Sequence, residues 1–341
     1  MLAAAAIDGF ADDVRSACAR ATEQGTHDVS LTLAGRRVSL RFAGRPLRDA
    51  YLPALAHLAV HDDSGSRANL SVWLWERAST KVGPPRPPWS LDDFLAGGRI
   101  RGLVRERVRV TYDVFSRTLT VYDAERSEAY VHVADADDVP PWMTRAPIRN
   151  VLSWWAADCG LAFVHASALA DDRGAVVLAG PSGCGKSTTA LTGFAAGLRF
   201  LGDDACLVDL TGPVPVVHPV YRFAKLERDA LNRVPSMRAL VADPEADQLV
   251  VAVPDGSRPA SPLRALVLPR IADRADSMAV PVTRREALRA VVASTLLEGD
   301  GAGGTGLRAL TALCAGTNSF RLDLGSRPAG VVDAINGLLG S

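Results

Sequence analysis

Residues Gly180 to Ser187 read Gly-Pro-Ser-Gly-Cys-Gly-Lys-Ser and satisfy the spacing G-x-x-x-x-G-K-[ST] at each fixed position. Each fixed residue type has a chemical reason. Glycines let successive backbone N–H groups converge on phosphate oxygens, Lys186 carries an ammonium to the β and γ oxygens, and Ser187 offers a hydroxyl to magnesium. Pro181, Ser182, Gly183, Cys184 and Gly185 form the cradle, and Thr188 follows it. Cys184 stands at a variable position and reads as a small tolerated side chain. The pattern predicts binding of ATP with Mg2+.

A second set of residues supplies what transfer of a phosphoryl group would need beyond a grip. Asp203 and Asp204 form a doubled acid seventeen residues beyond Lys186. Phosphoryl transfer depends on positioning and charge neutralisation: a cradle, a metal, cations on the transferring oxygens, and a carboxylate that orients the nucleophile. The loop, Asp204, Lys225 or Arg222, and Asp203 fill those places. Asp209, ending "ACLVD", has the form of a metal-supporting acid too and is an alternative to one member of the pair. Arg270 is a further candidate for phosphate contact, with a structural ion pair as its plain alternative. Only three of the 38 Lys and Arg residues are lysines, at 81, 186 and 225. That bias lends weight to Lys225, because a compact ammonium on a flexible stem is not interchangeable with a guanidinium.

The elements that must hold these groups are legible around them. "GAVVLAG" is a strand entering the loop and "STTALTGFAAG" a helix leaving it, so the helix N-terminus adds partial positive charge where an anion would sit. Upstream, "LAFVHASALADDRGAVVLAG" reads as two apolar strands joined by a tight turn at 171–174. That hairpin predicts an antiparallel neighbour for the loop-bearing strand. "LRFLGDDACLVDL" reads as two short strands bracketing the acids. From 262 onward the pattern predicts strand, strand, helix, a glycine-rich loop at 298–306, helix, strand and a last helix. The glycine-rich stretch has no following lysine and reads as a loop near the site.

Taken together, Val164-His165-Ala166, the GPSGCGKS loop and "GLRFLGDD" resemble the catalytic domain of HPr kinase/phosphorylase, which shares a core with phosphoenolpyruvate carboxykinases. The resemblance implies an α/β (α+β) fold with a mixed sheet. It implies His165 beside the transferred phosphate, Asp203 as the base for the acceptor hydroxyl, and Asp204 with Ser187 on magnesium. The matched stretch, about 164 to 210, is a small part of the chain. The R-G-x-G signature of those enzymes is absent, and "HPVYRFAKLERDAL" stands in its place. The sequence is closer to HPr-kinase-like serine kinases of peptide biosynthetic clusters, including those acting on lasso-type precursors. The stretches carrying that likeness are Val220–Lys225, Leu266–Arg270 and Phe320–Gly325. The implied activity is transfer of the γ-phosphoryl group to a hydroxyl, a Ser or Thr of a peptide or protein. A small-molecule hydroxyl kinase and a nucleotide-switched regulatory ATPase are the alternatives. No L-S-G-G-Q stretch or N-K-x-D motif supports a transport ATPase or a GTPase.

Composition bounds the rest. The 341 residues allow about two domains, and 48% hydrophobic with 22% charged is globular. Acids and bases balance at 38 each, which argues against nucleic acid as a partner. The five cysteines, at 18, 159, 184, 206 and 314, form no CxxC pair and no disulfide framework, so a cytoplasmic location is expected. No apolar run is long enough to span a membrane. A homo-oligomer is left open.

The first half reads as a smaller α+β domain over 1–142, a candidate for acceptor recognition, ahead of the catalytic domain at 143–341. It opens on a helix at about 10–24. A hairpin over 27–44, a helix over 46–60, a strand at 69–77 and a proline-rich connector at 81–90 follow. A second hairpin covers 104–123, with Arg105, Arg107 and Arg109 forming a stripe expected on a solvated strand face.

Overall fold

The computed structural model describes residues 4–61, 67–94, 100, 103, 106–241, 243, 249–254, 260–297 and 303–340. Two compact units meet between Asp158 and Cys159, sixteen residues beyond the expected break at 142.

The first unit contains α1 (Ala4–Ala21), β1 (His27–Leu33), β2 (Arg36–Ala43), α2 (Arg45–Leu55), β3 (Ala59–Val60), β4 (Leu70–Glu76) and α3 (Arg77–Thr80). After the connector come β5 (Val108–Asp113), β6 (Thr118–Asp123), β7 (Glu128–Val133), α4 (Pro141–Arg145) and α5 (Arg149–Asp158). The strands form one seven-stranded sheet in the order β3-β1-β2-β4-β7-β6-β5, parallel across β2, β4 and β7 and antiparallel elsewhere. Both expected hairpins are present. The interior strand β7 was not anticipated, because its six residues follow a turn too closely to stand out as a separate run. Ile7, Phe10 and Val14 of α1 pack on Trp75, Val110, Val121 and Tyr130.

Of the expected arginine stripe, Arg107 is exposed and Arg109 is not. Arg109 is buried, with Nη2 2.7 Å and Nη1 2.9 Å from the Asp158 carboxylate and Nη1 3.0 Å from the Trp154 carbonyl. The Tyr122 hydroxyl donates to the same carboxylate at 3.1 Å. A buried guanidinium needs such partners, and they come from the end of α5. This ties α5 to the first unit. Arg107 pairs with Glu125 at 3.0 Å, and Arg105 lies outside the described residues.

The second unit runs β8 (Leu161–Val164), β9 (Ala166–Ala170), β10 (Ala175–Ala179), α6 (Lys186–Ala195), β11 (Arg199–Gly202), β12 (Cys206–Asp209), β13 (Val216–His218) and β14 (Phe223–Leu226). It continues through α7 (Arg228–Leu231), β15 (Leu249–Ala252), β16 (Ser261–Ile271), β17 (Met278–Pro281), α8 (Arg284–Val292), α9 (Gly303–Gly316), β18 (Asn318–Leu324) and α10 (Pro328–Leu339). Nine strands form a mixed sheet along β11-β9-β10-β16-β13-β12-β8, with β18 also on β16 and β17 on β18. β10 is antiparallel to β9 and parallel to β16.

Alternation along β10 divides the core. Val176 and Leu178 pack with Leu191 of α6 and Ile335 of α10, while Val177 packs with Val291 of α8 and Leu313 of α9. Of the expected glycine-rich loop, residues 303–306 begin α9 and 298–302 lie outside the described residues. No helix among the described residues is long and apolar enough to cross a membrane.

Candidate functional site

The apolar run 161–170 is two strands, not one, and the break falls at His165. β8 pairs with β12 (Val164↔Cys206), whereas β9 pairs with β10 and β11. A residue at such a break loses its ladder partner, and a buried N–H without an acceptor is costly. The Thr295 hydroxyl accepts from His165 N at 3.1 Å. Thr295 lies in a single π-helical turn, Ala293–Leu297, directly after α8.

β10 delivers the 180–187 loop, and α6 starts at Lys186 with Gly185 as its N-cap at φ 102°. No L-residue fits there comfortably, since a Cβ on Gly185 would also stand 2.6 Å from Leu324 Cδ1. Lys186 is buried and turned back on its own loop, with Nζ 2.7 Å from the Gly180 carbonyl and 3.1 Å from that of Pro181. The Thr188 carbonyl accepts from Thr192 Oγ1 at 2.7 Å within α6. Gly180 is closely approached by Cys184, whose Sγ would lie 3.1 Å from an added Cβ.

The turn between β11 and β12 brings both acids to this loop, in different environments. Asp203 is buried, at 2% exposure. Its Oδ1 accepts from Ser187 Oγ at 3.0 Å and from the Ser167 hydroxyl, and its Oδ2 accepts from Lys225 N at 3.0 Å. Burial raises its pKa, and the charge of Asp204 raises it further; the three hydrogen bonds oppose this, and the net shift is upward. Asp204 has φ 67°, a left-handed conformation uncommon outside glycine. That backbone turn sends its carboxylate elsewhere: Oδ1 lies 3.7 Å from His165 Nδ1 and Oδ2 lies 2.8 Å from Lys225 Nζ.

Lys225 therefore touches both acids, Asp203 through its backbone and Asp204 through its side chain. The sequence placed Ser187 with Asp204 and left Asp203 to meet an acceptor. In the structure the Ser187 hydroxyl bonds Asp203, and the more accessible carboxylate, beside His165, is Asp204.

Of the remaining candidates, Asp209 and Arg270 are held elsewhere. Arg222, half-buried just before β14, has its guanidinium carbon 5.9 Å from the Phe223 ring centre. Asp209 closes the end of β12 away from His165, accepting from Thr211 N at 2.8 Å and Thr211 Oγ1 at 2.6 Å. Arg270 takes its structural alternative, Nη2 lying 2.9 Å from Asp323, which Arg321 also grips at 3.0 Å. Burial works to raise the Asp323 pKa, but those two arginines outweigh it and hold the carboxyl below its usual range.

Ser167 and Thr295 were missed by the sequence reading. Ser167 left a faint signal as a lone hydroxyl in an apolar strand; Thr295, 130 residues from its partner, left none. Cys18 and Cys206 are buried and their thiols pushed up to about 12, so neither is a nucleophile.

The described residues contain no group of three or more His, Cys, Asp or Glu able to hold a metal alone. A single buried carboxylate beside a serine hydroxyl instead fits magnesium carried in on phosphate oxygens, which keeps most of its ligands from water and nucleotide. The loop fits the phosphates: an ammonium now on backbone carbonyls stands at the N-terminus of α6, where anions are favoured.

The chain is thus an α/β protein with mixed sheets and a glycine-rich strand–loop–helix unit facing a pair of carboxylates. No family model and no curated protein matches the sequence. Among solved structures, the HPr(Ser) kinase/phosphatase from Coxiella burnetii is similar at a TM-score of 0.29 and 11% identity, over 51% of this chain and 94% of that one. That likeness is distant, and the functional reading is carried by the site's own geometry.

Proposed function

We propose that the protein is an ATP-dependent kinase that transfers the γ-phosphoryl group to a hydroxyl, the Ser or Thr of a peptide or protein. The observation that carries this reading is that two adjacent acids stand in different settings. Asp203 is buried and bonded to Ser187, the disposition of a carboxylate that supports a metal. Asp204, strained and held between His165 and Lys225, has the disposition of a carboxylate that meets an acceptor.

On this reading Lys186 leaves the Gly180 and Pro181 carbonyls to pair with β and γ oxygens, and the loop N–H groups hold the phosphates. Ser187 and Asp203 would hold Mg2+, which would supply charge neutralisation for the transferring group. Asp204 takes the acceptor hydroxyl's proton as its oxygen bonds to the γ phosphorus and the bond to ADP breaks. His165 and Lys225 fix the orientation of Asp204, and Lys225 adds positive charge beside it. The first unit, with its own core and sheet, is assigned to acceptor recognition; a peptide substrate gives such a unit a purpose that a small molecule does not.

Protein incubated with magnesium, γ-labelled ATP and a degenerate Ser/Thr peptide library should pass label to peptide. Label released only as inorganic phosphate, at one rate with and without peptide, would replace the kinase with a nucleotide-switched ATPase.

A further inference from the structure

Among the described residues of the second unit, Ile271 is the most exposed large apolar side chain, at 60%. Its place in the fold is specific. β10, β16 and β18 run parallel, and β10 stays paired to β16 as far as Leu178↔Val267 before giving way to the 180–187 loop. β16 continues four residues further and ends on Ile271, which is paired with Leu324 of β18. Leu324 in turn packs against the loop, its Cδ1 standing 2.6 Å from where a Cβ on Gly185 would be. An exposed isoleucine thus sits on the strand next to the one that carries the loop, beside a leucine that reaches the loop's last glycine. They lie at the carboxyl ends of the parallel strands, where ligands of open α/β sheets bind.

Covering an exposed β-branched apolar side chain at a strand end is favourable. A ligand that covers it must be apolar on one face and reach the loop with the other end. A nucleotide has that form: a charged phosphate chain and a flat base whose faces shed water readily.

Resting on the nucleotide reading of the loop, we infer that Ile271, backed by Leu324, is the seat of the nucleobase. The loop grips phosphates regardless of what they carry, and Ile271 makes the difference between a nucleoside triphosphate and a bare polyphosphate.

The test compares ATP with inorganic tripolyphosphate, both with magnesium, by calorimetric titration of the wild type and of Ile271→Ser. The wild type should bind ATP more tightly than tripolyphosphate. The variant should lose about tenfold in ATP affinity while tripolyphosphate binding holds within about twofold, the cost of an uncovered aliphatic contact. Unchanged ATP affinity in the variant overturns the seat and leaves the loop assignment standing. Equal losses for both ligands would place the effect in the loop and also overturn it. A wild type that binds neither ligand removes the nucleotide reading itself, and the seat with it.

Discussion

Ser187 Oγ donates to Asp203 Oδ1 across 3.0 Å, and that carboxylate is buried while its neighbour Asp204 is turned toward His165. Two acids adjacent in sequence so stand in two chemical settings, and the settings make separable predictions. Asp203→Asn and Ser187→Ala should each weaken nucleotide binding in magnesium but little in EDTA, because they remove a metal support. Asp204→Asn should bind nucleotide and magnesium normally while phosphoryl transfer falls roughly 100-fold or more, the usual scale for loss of a general base. The opposite pattern, with Asp203→Asn silent in binding and dead in transfer, would return the base to Asp203.

Lys186 is predicted to be the dominant single contribution to affinity. Its ammonium is buried in the loop, within hydrogen-bonding distance of the Gly180 and Pro181 carbonyls. Lys186→Ala should weaken ATP binding on the order of 100-fold, the scale of charge-assisted hydrogen bonds in a buried site. Circular dichroism checks that the fold survives. Affinity within twofold of wild type would end the phosphate-loop assignment.

Much of this site was legible in the sequence because it is local. The loop, the strand before it and the helix after it occupy one continuous stretch, and the turn at 171–174 announced the antiparallel partner that β9 provides. The proximity of Asp203 and Asp204 to the loop was legible too. Their orientation was not, since it depends on Asp204 taking φ 67°, a backbone state that an Asp-Asp pair does not advertise. The strand break at His165 was hidden inside ten nearly unbroken apolar residues. Arg109 was misplaced for a related reason: alternation on β5 gives a face but not what covers it, and the partner Asp158 lies 49 residues on.

The Thr295 hydroxyl carries the third prediction. It accepts the backbone N–H of His165, a residue between two strands, from 130 residues away in the chain. Thr295→Val keeps the shape and removes the acceptor, so stability should fall by about 1–3 kcal/mol in urea denaturation. Thr295→Ser should recover most of it. Transfer should fall in the valine variant more than stability alone explains, because His165 then loses its register beside Asp204. Equal stability of all three proteins would show that the His165 N–H finds another acceptor.

His132 supports a prediction that concerns the first unit alone. It is buried at 4% exposure, its ring centre 5.1 Å from that of Trp75, and neither ring nitrogen has a hydrogen-bond partner among the described residues. Burial, helped by the charge of Arg77, lowers its pKa from 6.5 to about 4. The unfolded chain therefore takes up a proton between those values that the folded chain refuses. Stability from this group is fully present above pH 6.5 and is lost as the pH falls toward 4, on the order of 3 kcal/mol over the window. Asp203, raised by burial, acts with the opposite sign: the folded chain binds its proton more readily, which favours folding as the pH drops toward the carboxylate range. Comparing wild type with His132→Phe cancels the Asp203 contribution, which is common to both. The phenylalanine keeps the contact with Trp75 and cannot be protonated, so its stability advantage should widen by roughly 2 kcal/mol between pH 7 and pH 5. A gap that stays constant across that range would mean that His132 is protonated in the folded chain, and that its ring nitrogens are not as enclosed as the packing against Trp75 makes them.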